Sequence, residues 1–475
     1  MQLFSTIRRL KEKEIQQLEA SLESQFKKHF SFEEIEQIAR NSKFVQRSSS
    51  LSGYTFLCLI VFNSDSLAYE SLNDLSTKLE LDHGVQITKQ GLDGRFNEYA
   101  VQFLKSALED LLAKQLSEVN TLIQCDQFDR ILIKDSVCFQ VDESLSDIYP
   151  GSGGSGSTAN VRIQLEYDLL SGKVVDLSLN AFNDQDAKNS MLTLEVIKKG
   201  DLIVRDLAYM HLNALTGIIE QLANFLCRLQ TNRKVYQKVD GEVIEIDFGK
   251  TARLMRDLNI NKIEEIVYLG EKLDLQVRLF IYLLPIRVYN ERMRKANKNA
   301  KKRGYQLSKE FKARAQLNLF ITSAPEELIS LETAWKIYTL RWQIELTFKV
   351  WKSLWKIDKV KKVKKNRLEC YIWAKLFIIV TSWRVLWFIG KMLRQLYGNN
   401  LSFYKAMKTI VNYVDRLKAM IVDGTISPGK YLADFLLLSR RKHLLEKKKG
   451  SNYSPEILFG SFVVRNNGET ISLAG

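Results

Sequence analysis

Histidine is nearly absent from this chain. His29, His83, His211 and His443 are its only imidazoles in 475 residues, and four scattered copies leave little material for histidine-based catalysis. Cysteine is as sparse. Cys58, Cys125, Cys138, Cys227 and Cys370 are odd in number and contain no Cys-x2-Cys pair, which argues against a zinc site or a disulfide framework and fits a reducing cytoplasm. The N-terminal Met1-Gln2-Leu3-Phe4-Ser5 runs into charged residues rather than an apolar core, so no signal peptide is expected. No long uninterrupted apolar run exists either. The most apolar stretch, Leu376 to Ile389, is flanked or broken by Lys375 and Arg384, and it reads as a core helix rather than a membrane span.

Positive charge is what the chain has in excess. Lys and Arg number 70 against 55 Asp and Glu, a net charge of +15, with 45% hydrophobic and 26% charged residues. That is a soluble globular composition whose charge favours a polyanionic partner, a balance shared by basic ribosome-binding, membrane-surface and merely soluble proteins. The length suggests two to four domains.

The first part of the chain, 1–125, reads as helical. Ser31-Phe32-Glu33-Glu34 has the form of a capping box before Ile35 and Ile38. A helix over Ser71 to Leu81, a break at Asp82-His83-Gly84 and a helix from about Thr88 through Leu104 give the outline of a helix-turn-helix that could present Lys89, Gln90, Arg95 and Asn97 to a DNA groove. Any small helical bundle gives the same outline.

Strand signals begin at Arg130. Arg130-Ile131-Leu132-Ile133-Lys134-Asp135 is an apolar run ending in a carboxylate, and Val137, Phe139 and Val141 alternate after it. Past a flexible Gly151 to Ser157 stretch, Val161 to Asp168 and Val174 to Leu179 predict a hairpin across Ser171-Gly172. A helix through Met191, Leu194 and Ile197 leads to Leu202-Ile203-Val204-Arg205-Asp206, a buried-type strand that again ends in an acid. Three strands, a helix and a fourth strand is the order of a ribonuclease-H-like fold, in which the first and fourth strands are neighbours. Two carboxylates brought together there repel unless a cation sits between them. Strand-end aspartates usually just face solvent.

Between Leu226 and Ala315 the pattern turns strand-rich: Val235 to Val239, Glu242 to Phe248, Glu265 to Leu269 and Leu275 to Leu284. It closes with a basic segment that includes Arg287, Arg292, Arg294, Lys295, Lys298, Lys301, Lys302 and Arg303.

Ser330 to Arg367 reads as one long helix, with Ser330 as N-cap, Glu332 in the first turn and no Pro or Gly. At about 100° per residue, Leu340, Ile344, Ile337, Phe348, Trp351 and Trp355 fall in one sector and form its buried face. Tyr338, Arg341, Glu345 and Lys352 fall in a neighbouring sector. Arg341 and Glu345 alone would be an ordinary i,i+4 pair. The whole set places a carboxylate able to bind a hard cation beside three groups that can hold phosphate oxygens. A second basic run, Lys356, Lys359, Lys361, Lys362, Lys364, Lys365 and Arg367, follows directly.

Tyr-x2-Arg-x3-Glu-x6-Lys at Tyr338, Arg341, Glu345 and Lys352 resembles the Y-R-E-K signature of the cut-and-paste DDE insertion-sequence transposases, insertion sequence family four. Arg341-Trp342-Gln343-Ile344-Glu345 and Leu319 to Ser323 are similar to that family's wording, as are Asp135-Ser136 with the Gly151 to Tyr167 stretch and Asp206-Leu207-Ala208-Tyr209. The family more often carries Thr at 137, Arg at 207 and Gly at 208, where this chain has Val, Leu and Ala. The resemblance implies an α/β chain: a helical DNA-binding region (1–125), a ribonuclease-H-like catalytic core in two parts (126–227 and 317–392) interrupted by a β-rich insertion (228–316), and a helical C-terminal region (393–475) suited to dimer contacts.

The implied activity is metal-dependent strand cleavage and strand transfer, with Asp135, Asp206 and Glu345 as catalytic and metal ligands for two Mg2+ or Mn2+ ions. Tyr338, Arg341, Lys352, Lys356, Lys359, Lys361, Lys362, Arg292, Arg294 and Lys295 are the expected phosphate and DNA contacts. The expected partners are double-stranded DNA, as terminal inverted repeats and target, and a second copy of the chain in a synaptic complex; no membrane is involved, and the expected location is the bacterial cytoplasm at the nucleoid. An inactive, DNA-binding descendant or a structure-specific nuclease on the same fold are the alternatives.

Overall fold

The computed structural model describes residues 31–446 apart from 48, 65–66, 68, 118–126, 152–157, 184–185, 210, 230–232 and 271. The N-terminal start, most of the glycine-serine stretch and the Lys447-Lys448-Lys449 run lie outside the described residues.

Helices α1 (Phe32–Asn41), α2 (Gly53–Phe62), α3 (Leu72–His83), α4 (Lys89–Arg95) and α5 (Glu98–Ser117) open the described chain. Ser31 caps α1 by accepting from the Glu34 N–H at 3.1 Å, but the return half of the box is not made, because the Glu34 carboxylate pairs with Lys114 at 2.8 Å. The reciprocal capping box is at Ser71 and Asp74, at the start of α3. The single helix expected from Thr88 through Leu104 is instead α4 and α5. Asn97 divides them, since its side chain accepts from the Tyr99 and Ala100 N–H groups and so starts a new helix. Arg95 is also not presented freely to a groove: its guanidinium lies over the Phe44 ring, 4.5 Å from the centroid. Lys89 and Gln90 are exposed.

Among the described residues ten strands then build one sheet: β1 (Arg130–Gln140), β2 (Asn160–Asp168), β3 (Val174–Ala181), β4 (Asp201–Arg205), β5 (Asn224–Arg228), β6 (Val235–Val239), β7 (Glu242–Glu245), β8 (Lys262–Leu269), β9 (Leu275–Leu283) and β10 (Leu317–Thr322), in the order β3-β2-β1-β4-β5-β10-β9-β8-β6-β7. β1 and β2, and β2 and β3, are antiparallel; β1 to β4 and β4 to β5 are parallel. The strand-rich block therefore extends the same sheet through β9 and β10. Asp168 shapes the β2–β3 turn, accepting from the Leu170 and Ser171 N–H groups and the Ser171 hydroxyl.

Between the strands lie α6 (Asp186–Leu192), α7 (Leu212–Glu220), α8 (Phe248–Asp257), α9 (Ile286–Arg303) and α10 (Lys309–Arg314). The expected strand at Glu242 to Phe248 stops at Glu245, because the Asp247 carboxylate accepts from the Gly249 and Lys250 N–H groups and starts α8. The basic segment is mostly helical, in α9 and α10.

The helix expected from Ser330 to Arg367 is α11 (Ala334–Thr339) and α12 (Trp342–Ser353), followed by a non-helical basic stretch. At the corner the N–H groups of Leu340, Arg341 and Ile344 bond three residues back, to Ile337, Tyr338 and Arg341, a tighter winding than an α-helix. After Ser353 the chain leaves the helix to bury Trp355 and Ile357, with Lys356 in the left-handed region at φ 50°. Continuing the helix would also stack like charges at Lys361, Lys364 and Lys365 on one face. The apolar stripe survives the break: Leu340, Ile344, Phe348, Trp351 and Trp355 are all buried.

Among the described residues, α13 (Lys365–Tyr397) is the one helix long and apolar enough to cross a membrane, and its apolar window is wholly buried inside the protein, as expected of a core helix. Its Lys375 is buried and donates to the Lys356 carbonyl at 2.8 Å, so it holds the basic stretch in place. α14 (Phe403–Asn412), α15 (Val414–Ile421) and α16 (Pro428–Lys442) follow.

Strand alternation divides the core. Ile131, Ile133, Val137, Leu202 and Val204 face the layer holding α2, α5 and α13, while Leu132 and Ile203 face the layer holding α7 and α8. By the same alternation Asp135 and Asp206 belong to the first face, and Lys134 and Arg205 to the second.

Candidate active site

β1 and β4 run in parallel register, with Arg130 to Lys134 beside Asp201 to Arg205. The last pair is Lys134 with Arg205, and the next residue on each strand is an acid. Asp135 and Asp206 are thereby adjacent, on the face where α12 packs against β1.

Arg341, at the corner between α11 and α12, reaches both remaining parts of the site. Its Nη1 donates to Asp135 Oδ2 at 3.2 Å and its Nη2 to Glu345 Oε1 at 2.7 Å. Burial pushes the Asp135 carboxyl up to about 6; the Ser136 N–H and Arg341 oppose that rise, while Asp206 and Glu345 add to it. The same cluster acts on Arg341 in the other sense. Burial alone would lower its pKa, but the Tyr338 phenol and the carboxylates of Asp206, Glu345 and Asp135 hold it above its ordinary value. Three acids from three elements thus surround one guanidinium.

Tyr338 lies beneath this group, its ring 4.9 Å from that of Phe320. Burial raises the phenol above its ordinary range, so it stays a protonated donor. The Tyr338 hydroxyl and Arg341 Nε are buried polar atoms with no hydrogen-bond partner. Buried donors of this kind normally find an acceptor, and an oxygen-rich ligand would supply one. Lys352, one face along α12, donates to the Cys138 carbonyl at 3.0 Å.

The donor set suits a hard divalent cation: three carboxylates, with no sulfur or imidazole among the residues brought together. Among the described residues no three Asp, Glu, His or Cys side chains form a ready-made cage. Arg341 bridges Asp135 and Glu345, so a cation held by both acids would have to displace the guanidinium.

The other expected contacts divide. Lys359 and Lys362 are exposed beside Asp358 and Asp142, at 3.5 Å each. Lys356 lies over the Tyr69 ring and Lys361 donates to the Glu70 carbonyl, so this run also touches the connection between α2 and α3. Arg294 and Lys295 are exposed on α9. Arg292 is engaged internally, donating to the carbonyls of Ala315 and Leu317 and to Asn318 Oδ1 at 2.7 Å.

Sequence reasoning missed the opposite face of the sheet, where Lys134, Glu166 and Arg205 are fully buried. The signal was present in the doublets Lys134-Asp135 and Arg205-Asp206, a cation before each acid on an otherwise apolar strand. Ala208, where glycine is commoner, sits in the short 3-10 turn Leu207–Tyr209. That right-handed turn does not require glycine.

Carboxylates suited to a hard cation, beside a guanidinium and a phenol that can hold phosphate oxygens, are groups that fit phosphoryl-transfer chemistry. Residues 126–381 match the family described as Transposase DDE domain. The chain is 31% identical to the transposase for insertion sequence element IS231E of Bacillus thuringiensis subsp. finitimus, covering 90% of this chain and 91% of the relative. It is 31% identical to the IS231F transposase of Bacillus thuringiensis subsp. israelensis, over 92% and 93% of the two chains. It is 29% identical to the IS1151 transposase of Clostridium perfringens, over 90% and 93%. The chain belongs to the DDE transposases of insertion sequences, DNA-acting enzymes that depend on divalent metal.

Proposed function

We propose that this transposase excises and inserts its element by cut-and-paste chemistry on a ribonuclease-H-like core, with Asp135, Asp206 and Glu345 as the catalytic carboxylates. The strand order β3-β2-β1-β4-β5, with the parallel β1–β4 pair at its centre, supports that fold. The observation that carries the site is the convergence of Asp135 and Glu345 on Arg341, with Asp206 just past the end of β4, the strand that pairs with β1.

The three carboxylates would hold two Mg2+ or Mn2+ ions, which when bound activate water or a DNA 3′-hydroxyl and stabilise the leaving oxygen. Arg341 would move from its two carboxylates to the oxygens of the scissile phosphate, where its fork can hold two at once. Tyr338 would donate its unpartnered hydroxyl to the same phosphate, and Lys352 would exchange the Cys138 carbonyl for the flanking backbone. Lys356, Lys359, Lys361, Lys362, Arg294 and Lys295 would follow the DNA outside the site. The substrates would be terminal inverted repeats and a target duplex, held by a homodimer in a synaptic complex in the cytoplasm.

The test is cleavage of a labelled duplex carrying the element's end, with Mg2+, by wild type and by Asp135→Asn, Asp206→Asn and Glu345→Gln. Each variant should lose cleavage while keeping end binding near the wild-type level. Cleavage near the wild-type rate by any of the three removes that residue from the site.

A further inference from the structure

Behind the acids, on the other face of the sheet, Lys134, Glu166 and Arg205 lie side by side on β1, β2 and β4, each with no exposed surface. Lys134 is in register with both Glu166 and Arg205. Glu166 Oε1 accepts from Arg205 Nη2 at 2.7 Å and Nε at 3.0 Å, and its Oε2 is 3.4 Å from Lys134 Nζ. Lys134 also donates to Asp176 at 2.8 Å and Thr193 at 3.0 Å, and Arg205 to Ser190 at 2.8 Å.

Buried ion networks are poor stabilisers, because desolvating the charges cancels most of their attraction and apolar residues of similar volume pack as well or better. The location of this one suggests another use. The backbone ladder between β1 and β4 ends at the Lys134–Arg205 pair, and Asp206 has already left the strand. Where the ladder stops holding the strands in register, the side-chain clamp takes over, one residue before each acid. The opposite end of the same strand pair is held by Arg130 and Asp201, also in register, at 2.8 Å and 2.5 Å.

We propose that Glu166, clamping Lys134 and Arg205, is a positioning residue that sets the spacing of Asp135 and Asp206 for divalent cation binding. The proposal rests on the carboxylate assignment above. Loss of the clamp leaves both acids present but lets the end of β4 shift against β1 where their ladder stops. Groups that hold metal ligands in place typically contribute about 10- to 100-fold in metal affinity.

The experiment uses the full chain and Mn2+ alone, with free Mn2+ followed by electron paramagnetic resonance and thermal midpoints measured in parallel. In the variant Lys134→Met, Glu166→Leu, Arg205→Met no charge is left unpaired among the three, and Asp176, which loses its Lys134 partner, keeps contact with solvent at 18% side-chain exposure. It should keep a thermal midpoint close to that of wild type while its Mn2+ affinity drops about tenfold or more. Glu166→Gln, which keeps the volume, serves if the triple variant does not fold, and should lose affinity in the same direction. Asp135→Asn is the reference for the site itself. If Asp135→Asn loses Mn2+ but the folded clamp variant binds it as wild type does, the positioning role is overturned and the site stands. If Asp135→Asn binds Mn2+ unchanged, the carboxylate assignment fails, and with it this proposal.

Discussion

The Arg341 guanidinium donates to the Asp135 carboxylate at 3.2 Å, joining the corner of α11 and α12 to the middle of β1 across 206 positions of sequence. This contact, with the 2.7 Å bond to Glu345, makes Arg341 the cation that bridges the two acids.

Arg341→Lys should impair end cleavage by more than about tenfold, since a single ammonium cannot reproduce the fork that now serves Asp135 and Glu345. Lys349→Ala, exposed on another face of α12, should only lower nonspecific DNA affinity. Cleavage of an end duplex at fixed ionic strength, with binding followed separately, distinguishes the two. Wild-type cleavage by Arg341→Lys together with failure of Lys349→Ala would show that the helix face has been misread.

Asp135 gives a pH dependence with a definite sign. Its carboxyl is held at about 6 in the folded chain, against about 4 in an unfolded one. The raised value means that the folded protein favours the neutral form. Its stabilising contribution is complete below pH 4 and is lost as pH rises through 6. Asp135→Asn, measured without divalent metal, should therefore be more stable than wild type above pH 6, by at most about 3 kcal/mol. The gain should shrink toward pH 4. A stability difference that is the same at pH 4 and pH 7 would contradict the burial of this carboxylate.

Arg292 and Lys362 should part company. Arg292→Ala removes three hydrogen bonds that tie α9 to β10 and its flank, and should lower stability by about 1–3 kcal/mol while leaving the salt dependence of DNA binding unchanged. Lys362 is 74% exposed. Lys362→Ala should leave the thermal midpoint alone and reduce the slope of log affinity against log salt by about 0.9. The reverse pattern would place Arg292 on the DNA.

Gly172 tests how the β2–β3 hairpin is seated on α13. Its φ is +69°, and a Cβ there would lie 2.5 Å from the Trp387 ring. Gly172→Ala should cost about 1–3 kcal/mol from backbone strain and overpacking. A thermal midpoint equal to that of wild type would mean that the hairpin can lift away from the helix freely.

Much of this was legible in the sequence where short-range physics decides. The apolar runs Ile131 to Ile133 and Leu202 to Val204 place an acid after each on neighbouring strands, although β1 runs on to Gln140 and leaves Asp135 mid-strand while Asp206 lies just past β4, and the i,i+4 spacing of Arg341 and Glu345 places them together on one helical surface. What the sequence concealed was set by tertiary competition. The apolar stripe through Leu340 to Trp355 looks continuous, yet burial of Trp355 and Ile357 ends α12 at Ser353 and bends the chain at Lys356. Asn97 could be read as one more helical residue until its side chain is seen capping α5. Arg292 looks like its exposed neighbours Arg294 and Lys295, and only the fold shows its guanidinium turned onto the carbonyls of Ala315 and Leu317. The Lys134–Glu166–Arg205 clamp required the register of three strands, which no single segment encodes.

The most direct measurement is anomalous scattering from Mn2+ in crystals of the full chain bound to a duplex bearing the element's end. The account predicts manganese among the carboxylates of Asp135, Asp206 and Glu345, with Arg341 displaced from Asp135 onto a phosphate. Manganese bound elsewhere, with Arg341 still bridging Asp135 and Glu345 and the scissile phosphate remote from all three acids, would contradict it.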